Sequence, residues 1–191
     1  MKYLLPVIFV LTTTFTHSQV LTDPSSANLR QVTLPYNRLI QPAGTQIFFG
    51  DASQENHALD AVLSPDGKWL AVEERCSIVF INTLNNKVTF ILRNIAHMNL
   101  RGGMNTYSGI IWHMSKEGPE VYWSVVGRNN LSFVVSARWD GNKAEFGRMF
   151  EYKQDQESDF ALPNEILITK ESRKEFLYVV LNGNNKVIKQ E

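Results

Sequence analysis

The sequence predicts an all-β protein, and three observations carry that prediction. Short runs of Val, Ile, Phe, Tyr and Trp alternate with clusters of Gly, Asn, Asp and Pro, the pattern of strands separated by tight turns. No stretch repeats apolar residues at helical spacing; residues 93–100 come nearest, and Gly102-Gly103 cut them off. Finally, three segments of the chain share one order of events.

Taken in order, the chain opens with "MKYLLPVIFVLTTTFTHSQV". Lys2 gives a short positive start, and residues 4–11 form an apolar core too short to span a bilayer. Thr16 and Ser18 supply small residues for a cut before Gln19, so residues 1–18 read as a signal peptide and the protein as exported, periplasmic or secreted. Residues 19–30 are polar and aperiodic, a linker. Residues 31–191 form the folded part. It opens with an isolated strand at "TQIFFG", residues 45–50.

The three related segments follow at residues 59–92, 108–150 and 164–190. Each begins with an apolar strand closing on Ser64, Ser115 or Thr169. A polar turn comes next ("PDGK", "KEGPE", "KESRKE"), then a second strand from Trp69, Val121 or Phe176. In "SPDGK", Pro65 suits the start of a turn and Gly67 the position where φ turns positive. "LNNK", "GRNN", "WDGNK" and "NGNN" supply further hairpin tips. A full unit is therefore a four-stranded antiparallel meander. Such a sheet cannot bury both faces alone, so units pack face to face around an axis, as β-propeller blades do.

"LSPDGKWLAV" and "LYVVLNGNNKVI" resemble the YVTN-type β-propeller repeat, and the likeness covers most of residues 31–190. The middle segment departs from it, with "SKEGPEVYW" in place of SPDG. "LPYNRLIQPAGTQIFFGD" is similar to the start of exported bacterial proteins in which such a propeller precedes an alkaline-phosphatase-like phosphoesterase domain. The resemblance implies an incomplete ring of about three blades, with residues 45–50 as a closing strand and residues 164–190 as an unfinished blade. Propellers have about 4–8 blades. Closing this ring then needs further blades or a second chain, and the chain is expected to be the front part of a larger protein.

Lys plus Arg and Asp plus Glu number 19 each, with the basic residues scattered, so no footprint for nucleic acid exists. No later apolar run is long enough to cross a membrane. The lone Cys76 excludes an intrachain disulfide and reads as an incidental thiol. Propeller ligands meet the loops that enter the innermost strands, here "SQENHALD", "RGGMNTYS" and "SDFALPNE". Asn56, His57, Asp60, Asn105, Tyr107, Asn164 and Glu165 are the residues placed at that channel mouth. His57 beside Asp60 has the chemistry of a base or metal ligand, and equally of a loop cap. His97 lacks metal-ligand spacing, and His113 and the four Trp residues fit blade packing. No catalytic constellation, metal site or cofactor motif emerges, so whether the chain is an enzyme stays open. The expected role is a scaffold presenting its channel face to a ligand or protein. The alternative is a lactonase-type hydrolase, which would need several acidic residues converging from different blades.

Overall fold

Ser64 shows why the chain reverses where it does. Its buried hydroxyl accepts the Trp69 N–H (2.9 Å) and donates to Asp66 Oδ1 (2.7 Å), which also accepts the Lys68 N–H (3.1 Å). That hydroxyl is the main reason the Asp66 carboxyl titrates below its usual range. Ser115 repeats the device, accepting the Glu117 N–H (3.1 Å) and donating to the Gly118 carbonyl (3.0 Å).

The computed structural model describes residues 32–34, 36, 38–40, 44–51, 56–156 and 158–191. The expected signal peptide (1–18) and linker (19–30) lie outside these residues. The described chain is all-β and antiparallel, with no α-helix; residues 93–100 hold only two single 3-10 turns, Asn94–Ala96 and Met98–Leu100. Among the described residues no helix is long and apolar enough to cross a membrane.

A short ribbon pairs β1 (Val32–Leu34) with β2 (Arg38–Ile40). The first sheet is a meander of β3 (Ala58–Leu63), β4 (Trp69–Glu74), β5 (Ser77–Asn82) and β6 (Lys87–Arg93). The two-residue β7 (Met104–Asn105) then pairs with Val125 and Val126. The second sheet runs β8 (Ile111–Ser115), β9 (Gly118–Val126), β10 (Ser132–Trp139) and β11 (Ala144–Tyr152). The third holds β12 (Pro163–Glu171), β13 (Lys174–Leu181) and β14 (Lys186–Gln190).

Two local expectations change. The second strands begin earlier than expected, at Gly118 and Lys174, and β12 runs two residues past Thr169. Ser172 and Arg173 both take positive φ (48° and 75°), which closes a two-residue hairpin and lets the ladder continue to its tip. The strand expected at residues 45–50 is absent: residues 45–49 carry no strand pairing. Instead Ile47 and Phe49 pack against the cluster of Val72, Val79 and Ile81 on the outer face of the first sheet. Covering that apolar face takes precedence over joining a ladder.

The sheets stack face to face in chain order. Ala71, Ile78 and Phe80 of the first sheet meet Trp112, Trp123, Phe133, Val135 and Trp139 of the second. Here Trp139 stacks on Phe80 (centroids 4.3 Å, interplanar 1°) and meets Trp69 edge-on at 5.0 Å. Trp112 Nε1 donates to the Val62 carbonyl across the interface (3.0 Å). All four Trp residues thus serve sheet packing, each buried ring contributing about 1.5–3 kcal/mol or more. Strand alternation sends Tyr122 and Val134 to the opposite face, where they pack on Ile166, Leu177, Val179 and Leu181 of the third sheet. Residues 120–125 of β9 are therefore buried without a break, because the second sheet is covered on both sides. The third sheet's other face is open: Leu167, Val180 and Val187 are 52%, 39% and 65% exposed there. The described sheets form an open stack with no closed ring.

Candidate functional site

The first strands of the three sheets lie side by side, with β8 touching both β3 and β12. Their entry ends converge on the loop at residues 106–109. Ser108 Oγ donates to the Asn164 carbonyl (2.6 Å), and Gly109 N–H reaches Asp60 Oδ2 (3.3 Å). Ser124 Oγ, held by a short contact to Thr106, donates to the Ser108 carbonyl (3.0 Å). Gly109 sits at φ +100°, and a Cβ there would stand 2.8 Å from the Asn164 carbonyl oxygen. Only glycine lets the three sheets close this tightly.

Glu73 faces Asp60 in the β3–β4 register and is fully buried. Among the described residues neither of its carboxyl oxygens has a hydrogen-bond partner. Burial, then the charges of Asp60 and Glu165, push its carboxyl up to about 9, so it carries a proton at neutral pH. Glu120, the buried carboxylate of the second sheet, is by contrast satisfied by Tyr122 Oη (2.8 Å), Ser115 Oγ (3.3 Å) and Arg148 (3.3 Å). This end thus gathers carboxyl groups from β3, β4 and β12. Among the described residues, however, no three His, Cys, Asp or Glu side chains are placed to hold a metal ion.

Of the residues expected at the channel mouth, Asp60, Asn164 and Glu165 are brought together here. His57 is exposed at the start of β3, and its carbonyl accepts the Arg75 N–H (3.0 Å). Tyr107 is 84% exposed. Asn105 is not a mouth residue: it is buried, donating from Nδ2 to the Glu74 (2.6 Å) and Ser77 (3.0 Å) carbonyls. Pairing of β7 with β9 turns it inward to hold the β4–β5 hairpin. Asn56 belongs to a second place, exchanging hydrogen bonds with the Asp51 backbone (2.9 and 2.6 Å). His113 packs between the second and third sheets, 3.2 Å from Glu175, and His97 lies edge-on to Phe146 at 5.1 Å.

That second place is a cavity of about 640 Å³ where the β4–β5 turn meets residues 94–103. Its floor holds the buried Glu74, Ser77 and Asn94, and its walls carry Arg93, Arg101, Arg128 and Cys76. Arg93 pairs with Asp51 at 2.7 Å. The volume falls in the range of small-molecule sites, about 300–1,000 Å³. Sequence reading missed this cavity because its wall joins residues 50 to 128 through tertiary contacts, the Arg93–Asp51 pair and the β7–β9 pairing among them. Glu73 did leave a signal: in "AVEERC" two adjacent carboxylates on a strand point to opposite faces, so one of them must face the sheet packed against that strand.

No protein-family model matches this chain, and neither does any curated protein or any solved structure.

Proposed function

We propose that the chain is a propeller-type module of an exported protein and that its role is binding rather than bond-making. One observation carries this reading. Each described interface joins a sheet to the next sheet along the chain, and the third sheet presents the same kind of apolar face with nothing on it among the described residues. Leu167, Tyr178, Val180 and Val187 line that face, and its occupant is a further antiparallel sheet, a following blade. The YVTN-type repeat likeness and the side-by-side placing of β3, β8 and β12 support the same reading. Coupling to an alkaline-phosphatase-like domain belongs to the proposal by resemblance alone. The lactonase reading is disfavoured: Asp60, Glu73 and Glu165 approach one another, but Glu73 is a neutral acid sealed from solvent.

Hydroxyl-radical footprinting tests the proposal by comparing protein recovered natively from the producing cells with the isolated 191-residue chain. Tyr36 and Tyr107, 95% and 84% exposed, serve as references. Labelling of Leu167, Tyr178 and Val187 is expected to fall at least about fivefold in the native protein, as it does for core side chains. Equal labelling in both samples would refute a covering blade.

A further inference from the structure

The cavity beside the β4–β5 turn is a site of defined polarity. Glu74 and Asn94 are 3% and 2% exposed, yet Glu74 Oε1 and Asn94 Oδ1 have no donor among the described residues. Their orientations are fixed. Glu74 Oε2 accepts both the Cys76 N–H (3.1 Å) and Ser77 Oγ (2.8 Å). Asn94 Nδ2 donates to Asn105 Oδ1 (2.9 Å), and the Asn105 amide is itself set by its two carbonyl acceptors. An amide flip would destroy that chain, so the Asn94 oxygen is a true acceptor left over. A buried carboxylate oxygen and a buried amide oxygen together call for a ligand that brings donors, best of all positively charged ones.

The walls make the opposite demand. Arg93 is engaged by Asp51, but Arg101 and Arg128 form no ion pair among the described residues. Gly102 is at φ +72°, and the Arg128 guanidinium carbon lies only 2.8 Å from where its Cβ would be. The absence of a side chain at Gly102 leaves room for the Arg128 guanidinium beside it on the cavity wall. Guanidinium groups bind carboxylates by paired hydrogen bonds. The site therefore offers acceptors within and cations on its walls.

We infer that this cavity binds a small zwitterion, an ammonium group against Glu74 and Asn94 with a carboxylate at Arg101 and Arg128, of the size of a short peptide with free ends. The inference stands apart from the blade-stacking reading, since neither the open face nor the placing of β3, β8 and β12 enters it.

The full chain is equilibrated by dialysis with a mixed pool of tripeptides, and with the same pool N-acetylated or C-amidated. Retained peptide is read by mass spectrometry, and occupancy by slower labelling of the Cys76 thiol on the cavity wall. Free-ended tripeptides are expected to be held at least about tenfold better than either blocked pool, the loss of one charge-assisted contact. Glu74→Gln and Arg128→Met are each expected to reduce retention by a similar factor. If Glu74→Gln fails to fold, the exposed Arg128 decides the matter. No retention, equal retention of the blocked pools, or Cys76 labelling indifferent to the free-ended pool would overturn the inference.

Discussion

Replacing Glu73 by glutamine removes a proton-binding group whose surroundings tolerate only its neutral form. In the unfolded chain the carboxyl titrates near 4.5, whereas in the fold it holds its proton up to about 9. Between those values the folded state carries one more proton than the unfolded state, so stability falls as pH rises, by about 1.4 kcal/mol per unit. The contribution is fully present below the unfolded value and is lost progressively as pH climbs through the folded one. Glutamine has nearly the same shape and nothing to lose. At pH 7 the Glu73→Gln variant should therefore be more stable than the parent by about 3 kcal/mol, a large share of a typical domain's stability. Near pH 4.5 the two should coincide, to within the ~1 kcal/mol by which an unpartnered amide and an unpartnered acid differ. Urea unfolding followed by Trp fluorescence suits the measurement, because all four Trp rings pack where the first and second sheets meet. Differencing variant and parent at each pH cancels the titrating groups that do not act on Glu73, leaving only its coupling to Asp60 and Glu165. A stability difference that stays flat from pH 5 to pH 8 would show that Glu73 is solvated and ionised, and would refute the reasoning.

Two further substitutions probe how the sheets are joined. Asn105→Ala strands the Glu74 and Ser77 carbonyls and the Asn94 amide, and should lower the melting temperature by about 5–10 °C in a thermal scan. Gly109→Ala combines a left-handed backbone with a 2.8 Å approach to the Asn164 carbonyl, and should lower the unfolding free energy read from urea titration by about 3 kcal/mol.

The turns were the most legible part of the sequence. Ser64 and Ser115 mark strand ends because a short hydroxyl side chain can satisfy the backbone of the turn that follows. The four strands from Ala58 to Arg93 follow from alternation between such turns. Residues 45–50 were misread because alternation reports which side chains are covered, not whether the backbone is paired. Asp60, Asn164 and Glu165 lie near the starts of β3 and β12, where their places in the sequence put them. The place of Asn105 was not legible, since nothing local reveals that a two-residue strand will rotate it into the β4–β5 hairpin. The cavity lay further out of reach: Arg93 meets Asp51 across 42 residues of chain, and Arg128 lies over Gly102 only once the two-residue β7 has paired with β9.

Burial of the second sheet on both faces also orders events in time. Each meander is built from neighbours in sequence, so its hairpins can form as soon as its own residues are available. The first sheet, however, keeps Phe80 and Ile78 in water until Trp123 and Trp139 have been synthesised, and the second keeps Tyr122 and Val134 in water until Leu177 and Val179 arrive. On a ribosome adding about 5–20 residues per second, each sheet waits a few seconds with an apolar face uncovered. Assembly thus proceeds from the N-terminal side as a series of handovers, and each delay is a window in which a chaperone, or another nascent chain, can reach that face first.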